Sequence, residues 1–192
     1  ELKAKDTCEG VWDMLSNIPP HKIHGSILSA ALDHMVAISK RPSYQQTQES
    51  LAAVKQLLNI AGGLLGSMNS WTMAAFIRCA ARFKGLLQPA GLSAWQRELL
   101  QRPRLVAQLT EQGVANTLLS LGTLTESDPQ LARVLDVQLA GQLLQHAVSF
   151  TYATATKASL GLTARHAANV LYGAALLGLQ PDRAQRAALF ST

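Results

Sequence analysis

The chain has 192 residues and a formal net charge of +5, with 48% hydrophobic and 15% charged residues. This composition excludes an intrinsically disordered chain. Its apolar runs fall short of the roughly 18 residues that a membrane-spanning helix needs, so we expect no membrane partner. The length suits one ordinary domain or a run of about four to five two-helix units.

Apolar residues spaced three and four apart predict nine helices and no strand. In chain order, the expected helices cover about 5–16, 21–38, 44–66, 71–87, 93–109, 111–124, 129–149, 164–178 and 182–190. Prolines and glycines separate them, as at Pro19-Pro20 and Gly178 to Pro181. The stretch 149–161 is rich in Ser and Thr and is expected to be a loop. The predicted fold class is all-α.

Three helix starts share a pattern: a hydroxyl residue that can cap a helix, three further residues, an apolar residue and an alanine. The copies begin at Ser70, Thr110 and Thr163, and a weaker copy begins at Pro20. Their seventh residues, at intervals of 50, 40 and 53 residues, are Ser26, Phe76, Asn116 and Asn169.

Repetition at this period is typical of an α-solenoid of stacked helix-turn-helix repeats. We therefore expect residues 1–192 to form a single helical-repeat domain that belongs to a longer array. It would hold about four to five degenerate units, which start near residues 20, 70, 110 and 163. Without the repeat, the same helices would indicate an ordinary helical bundle.

Matched residues of the repeat are predicted to have structural roles. The recurring alanines Ala75, Ala115 and Ala168 are small enough to let neighbouring helices approach closely. Asn116 and Asn169 have amides that could contact bases, but their matched places in alanine-rich helices favour a hydrogen bond between units.

Residues 114–124 and 167–178 resemble the first helix of the octotricopeptide repeat. They read Val-Ala-Asn-Thr-Leu-Leu-Ser-Leu-Gly-Thr-Leu and Ala-Ala-Asn-Val-Leu-Tyr-Gly-Ala-Ala-Leu-Leu-Gly. The family motif is of the Leu-Ala-Asn-Thr-Leu-Trp-Ala-Leu-Ala type, and Leu119 and Tyr172 stand where it has Trp. The resemblance is moderate for the unit at Ser70 and poor for the unit at Pro20, and every interval exceeds the family period.

The resemblance implies an α-solenoid that binds organellar RNA, in the mitochondrion or, as an alternative, in the chloroplast. Its degenerate repeats favour a noncatalytic clamp on ribosomal RNA in a mitochondrial ribosome, with other ribosomal or ribonucleoprotein subunits as partners. The alternatives are a factor for RNA maturation, stability or translation, and a helical protein-protein scaffold without RNA. Similar repeats in bacterial effectors leave a non-organellar origin open.

The basic residues are concentrated in the middle of the chain. Residues 40–110 hold nine basic and two acidic residues, whereas residues 1–39 hold three basic and five acidic ones. Such a block attracts a phosphate backbone, although any single long basic side chain can equally solvate an outer helix face. The predicted RNA contacts are Lys40, Arg41, Lys55, Arg78, Arg82, Lys84, Arg97, Arg102 and Arg104.

Aromatic side chains can stack on bases. The candidates are Trp71, Phe76, Phe83, Trp95, Tyr152 and Tyr172, and most are expected in the core. The sequence shows no zinc-protease motif, phosphate loop, nucleophile elbow or acidic cluster, so we predict no enzyme, metal site, cofactor or small-molecule substrate. Cys8 and Cys79 are expected to be buried free thiols, although Cys8 stands in a mixed, charged opening segment and could be partly exposed.

Overall fold

The computed structural model describes residues 5–153 and 162–190, with the side chains of residues 152 and 153 left aside. Within these ranges the chain is helical and has no strand, which confirms the all-α prediction. The helices are α1 (Cys8–Ser16), α2 (Gly25–Ile38), α3 (Gln48–Gly63), α4 (Ser70–Arg82), α5 (Pro89–Gln101), α6 (Pro103–Ala107), α7 (Glu111–Ser127), α8 (Pro129–Arg133), α9 (Val137–Ala153), α10 (Ala164–Leu176) and α11 (Arg183–Phe190). None of them is long and apolar enough to cross a membrane.

The longer helices form two rows. In the first row α2 packs against α4, α4 against α7, and α7 against α10, and these are the helices that open the predicted units. In the second row α1 contacts α3, α3 contacts α5, α5 contacts α9, and α9 contacts α11. The buried apolar side chains form one continuous core that runs from Cys8 in α1 to Leu189 in α11.

The most extensive helix pair is α7 with α10, and two glycines make its close approach possible. A Cβ atom added at Gly173 would lie 2.7 Å from the backbone C of Leu118 and the backbone N of Leu119. One added at Gly122 would lie 2.8 Å from Leu176 Cβ and 3.0 Å from the Gly173 carbonyl oxygen. Small residues on the first-row helices therefore serve packing, because any side chain here would force the backbones apart.

The caps of the first-row helices correct the register of the repeat. The Thr110 and Thr163 side chains accept hydrogen bonds from the amides of Gly113 and His166, as a cap residue does. In the second unit, however, the cap of α4 is Asn69 rather than Ser70, since the Asn69 side chain accepts from the Thr72 amide.

The first unit is shifted as well, because α2 begins after His24 and not at Pro20. With the caps aligned, the intervals are 45, 41 and 53 residues. The residues matched to Asn116 and Asn169 are therefore Ala30 and Ala75, not Ser26 and Phe76. Ala74, and not Ala75, is the counterpart of Ala115 and Ala168. Ala75 and Ala115 are fully buried, while Ala168 is exposed on α10.

Two predicted helices are each divided in two. The one expected at 93–109 breaks at Arg102, where the backbone leaves the helical region (φ −125°, ψ 68°) because Pro103 follows. The one expected at 129–149 breaks after α8, and α9 begins at Val137. The loop expected at 149–161 starts later than predicted, since α9 continues to Ala153, and residues 154–161 lie outside the described part of the chain.

A buried amide from another helix holds the break between α8 and α9. Gln96 of α5 is 3% exposed, and its Nε2 donates to the Val134 carbonyl at 2.8 Å. Its Oε1 accepts from the Asp136 amide at 2.6 Å, and the Asp136 carboxylate caps α9 by accepting from the Leu139 amide at 2.8 Å. Gln96 thus pairs two backbone groups that the end of α8 would otherwise leave unpaired.

Both cysteines are free and fully buried. The expectation of buried free thiols is confirmed, and the partial exposure that the charged opening segment allowed for Cys8 is not observed, because Cys8 lies in the core with no exposed surface. Burial, with a smaller contribution from Glu9, raises the pKa of the Cys8 thiol to about 11, and burial raises the pKa of Cys79 still further. Both thiols stay protonated at neutral pH.

Candidate nucleic-acid interface

A groove of about 310 Å³ crosses the exposed edge of the first row, and all four of its helices or their ends contribute side chains. We call it the polar groove. Its polar lining consists of Asp33, Lys40, Arg78, Gln112, Asn116, Arg165, His166 and Asn169. The packing of α2, α4, α7 and α10 against one another in chain order brings these side chains to one surface.

The polar groove carries an excess of positive charge. Arg78 of α4 forms an ion pair with Asp33 of α2, and this pair is neutral as a unit. Lys40 and Arg165 are exposed, and neither has an ion-pair partner among the described residues. The two cations therefore remain available to an anionic ligand at opposite ends of the row, just after α2 and in the first turn of α10.

The two matched asparagines meet within the polar groove. The Asn169 amide nitrogen Nδ2 donates to Asn116 Oδ1 at 3.4 Å, which joins α10 to α7. One turn earlier, at the same place on each helix, lie Arg165 and Gln112. The Nδ1 atom of His166 is buried without a hydrogen-bond partner among the described residues. On the α7–α10 side, the groove is thus lined by three amide side chains and one guanidinium group, which occupy corresponding positions on the two helices.

Two of the aromatic candidates lie on the surface: Trp71 is 58% exposed and Tyr172 57% exposed. Phe76, Phe83 and Trp95 are each 1% exposed and belong to the core, as expected for most of the set. The indole of Trp95 also donates to the Met73 carbonyl at 3.0 Å, which fixes it inside the fold. The side chain of Tyr152 lies outside the described residues.

Two of the predicted arginines hold other parts of the chain. Arg82 donates from Nε to Ser39 Oγ at 2.7 Å and also donates to the Ser39 carbonyl, which ties the end of α4 to the end of α2. Arg41 forms an ion pair with Asp6 at 2.6 Å. Contacts within the protein therefore already use part of the hydrogen-bonding capacity of these two guanidinium groups.

Arg102 is engaged most completely. Its guanidinium donates to the carbonyls of Leu65, Gly66 and Met68 at 2.7, 2.9 and 3.1 Å and pairs with Glu98 at 2.9 Å. Four acceptors satisfy most of its donors. These contacts give Arg102 a structural role, because they hold the turn Leu65–Ser67, which precedes α4.

The remaining predicted cations do not join the polar groove. Arg97 lies with Arg133 in a separate groove between α5 and α8. Lys55, Lys84 and Arg104 are exposed, line neither groove, and have no ion-pair partner among the described residues. The basic block of the sequence is therefore dispersed over several surfaces, and only Lys40 and Arg78 of the nine line the polar groove.

Sequence reasoning missed Arg165, Gln112 and His166. Residues 111–192 hold five basic and five acidic residues, so their charge balance concealed a cation that the fold brings into the same groove as Lys40 and Arg78. The available signal was positional: Arg165 and Gln112 each lie four residues before one of the matched asparagines.

The described residues include no group of three or more side chains able to hold a metal ion. Comparison of the chain with protein-family models, with curated proteins and with solved structures finds no match. Any function assigned to the polar groove therefore rests on its residues and on their geometry.

Proposed function

We propose that the chain is an α-solenoid of degenerate octotricopeptide-like repeats that binds RNA noncatalytically through the polar groove. The observation that carries this proposal is the groove itself, which crosses all four first-row helices and holds Lys40 and Arg165, two cations without an ion-pair partner in the described part of the chain. Cations hold a phosphate backbone in place, and neighbouring amides and aromatic rings contact the bases.

The order of helix packing supports the solenoid. Each first-row helix packs against the next one in the chain, and the second row follows the same order. In a solenoid each unit contacts mainly its neighbours, so such an order is what stacking produces. The uneven intervals fit this arrangement, because extra residues at one edge of a unit leave the stacked core intact.

The exposed face of α10 supports a longer array. Its residues Ala168, Leu171, Tyr172 and Ala175 correspond, 53 positions later, to Ala115, Leu118, Leu119 and Gly122 of α7. On α7 this face receives α10, with Gly122 and Leu118 at the crossing. On α10 the ring of Tyr172 is 57% exposed. We propose that another helical unit of the same kind packs there.

A clamp on ribosomal RNA in a mitochondrial ribosome is the role we favour, with other ribosomal subunits as partners; a chloroplast location is the alternative. The family resemblance supports the compartment. The hydrogen bond between Asn116 and Asn169 favours a clamp on the RNA backbone over sequence-specific recognition. The amide groups that form this bond are less available to hydrogen-bond with bases. A factor for RNA maturation, stability or translation would use the same groove.

A protein scaffold is the second candidate, and the exposed apolar face of α10 is the observation that favours it. The polar groove argues against it as the main role, because the core of a protein-protein interface is depleted of charged residues. The ring of Trp71 is the one large apolar side chain exposed beside the groove among the described residues.

A salt titration of RNA binding tests the proposal. The purified chain is expected to bind a single-stranded RNA of about 12 nucleotides, with log Kd rising linearly with log salt by about 0.7 per phosphate contact. Two contacts, at Lys40 and Arg165, would give a slope of about 1.4 or more, measured by fluorescence anisotropy between roughly 25 and 250 mM salt. Failure to bind at the lowest salt, or an affinity that salt leaves unchanged, would refute the proposal.

A further inference from the structure

A small cavity opens from the polar groove beside Trp71. It lies between the first turns of α4 and α7 and the middle of α2, and its volume is about 180 Å³. Apolar groups from Trp71, Ala74 and Leu109 line one part, and Asp33, Arg78 and Gln112 line the other. We call it the Trp71 slot. It has an aromatic wall and a polar end, and it is large enough for one planar heterocycle.

The ring of Trp71 is not required by the core. It is 58% exposed, whereas Phe76 and Trp95, which belong to the core, are 1% exposed. The indole stands at the second residue of α4 and is matched by cap alignment to Gln112 and Arg165. An exposed indole beside a basic groove is suited to stacking on a nucleobase, which every base permits through its π face.

The polar end of the slot is the ion pair of Arg78 with Asp33. The pair uses one carboxylate oxygen and one guanidinium nitrogen in their mutual contact. The second carboxylate oxygen and the remaining N–H groups of Arg78 have no hydrogen-bond partner among the described residues. The slot therefore presents an anionic acceptor next to a cationic donor.

We propose that the Trp71 slot binds one guanine base of the RNA strand; this rests on the RNA-binding function proposed above. The base stacks on the Trp71 ring, its N1–H and N2–H groups donate to the Asp33 carboxylate, and its O6 accepts from Arg78. Guanine is the one RNA base whose Watson–Crick edge carries two adjacent hydrogen-bond donors beside an acceptor. Adenine and cytosine offer a single amino group there, and uracil would turn carbonyl oxygens toward the carboxylate.

The slot and the polar groove form one path for a strand. Asp33, Arg78 and Gln112 line both, so a base in the slot leaves its phosphates at the groove. The neighbouring nucleotides then pass toward the cations Lys40 and Arg165. Phosphate contacts would supply affinity, and the slot would fix which nucleotide occupies one position.

The test compares seven-nucleotide RNAs that carry G, A, C or U at the central position of an otherwise all-U strand. We expect the G-containing strand to bind about tenfold more tightly than the others and to quench the fluorescence of Trp71. Trp71→Phe identifies that signal among the three tryptophans and keeps a stacking ring. Trp71→Ala is expected to lower affinity for the G strand about tenfold, and Asp33→Asn to remove most of the preference for G.

The possible results distinguish guanine binding in the Trp71 slot from RNA binding along the polar groove. Equal, salt-dependent binding of all four strands without quenching would overturn the guanine assignment while leaving RNA binding in place. No binding of any strand at low salt would overturn RNA binding itself. Guanosine monophosphate that quenches Trp71 at the same concentration as the G strand would mean that the ligand is a free nucleotide, which would also overturn this proposal.

Discussion

Gly173→Ala is expected to lower the free energy of unfolding by about 2–3 kcal/mol. The added Cβ would lie 2.7 Å from backbone atoms of Leu118 and Leu119 in α7. Backbone atoms inside a helix cannot yield as the tip of a flexible side chain can, so α10 must move away from α7 and lose contacts along the most extensive helix pair of the fold.

Gly141→Ala in α9 is the matched control. A Cβ at Gly141 would meet no heavy atom within 4 Å, so the same change there should stabilise the helix by about 0.5–1 kcal/mol. Urea unfolding followed by circular dichroism measures both variants. Similar stabilities for the two variants would contradict the close packing of α7 against α10 in the first row.

Reversing two cations of the polar groove should give the largest functional effect. The double variant Lys40→Glu with Arg165→Glu is expected to weaken RNA binding about 10- to 100-fold at low salt, and to make the slope of log Kd against log salt shallower by about 1.4. Neither side chain has an ion-pair partner among the described residues, so stability should change by less than about 0.5 kcal/mol.

The control for this variant is Lys55→Glu with Arg97→Glu, which makes the same change in net charge away from the polar groove. Compared at about 0.1 M salt, it should cost several-fold less affinity than the groove variant, because exposed charges outside the groove are more strongly screened at that ionic strength than at low salt. Arg78 and Arg82 are less suitable targets: reversal would break their contacts with Asp33 and Ser39 and so confound binding with folding. Equal losses in the two double variants would mean that net charge, and not the groove, binds RNA.

The helices could be predicted from the sequence where local signals determine them. The caps Thr110 and Thr163 and the apolar spacing of α7 and α10 are local, and these helices begin where the pattern predicts. The break between α8 and α9 is different, because it depends on Gln96, an amide about 40 residues away. No local pattern contains that information.

The candidate site was harder to predict, for a physical reason. A sum of charges along the chain does not show which cations already have acceptors. Arg102 and Arg82 counted toward the basic block in the sequence. In the structure, however, they donate hydrogen bonds to carbonyls more than 30 residues away along the chain. Arg165 did not count, yet stacking of α10 on α7 brings it into the same groove as Lys40. The asparagine pair was foreseeable, because both residues hold the same place in the sequence pattern and the helices that carry them, α7 and α10, pack together.

Crosslinking of RNA to the protein in the organelle proposed for it, followed by RNA sequencing and combined with sedimentation, tests the proposed role most directly. We predict crosslinks concentrated in ribosomal RNA, on peptides that contain polar-groove residues, with the protein co-sedimenting with a ribosomal subunit. Crosslinks to messenger or precursor RNA would indicate a maturation or translation factor instead. The absence of crosslinks above background would contradict RNA binding and favour the protein scaffold.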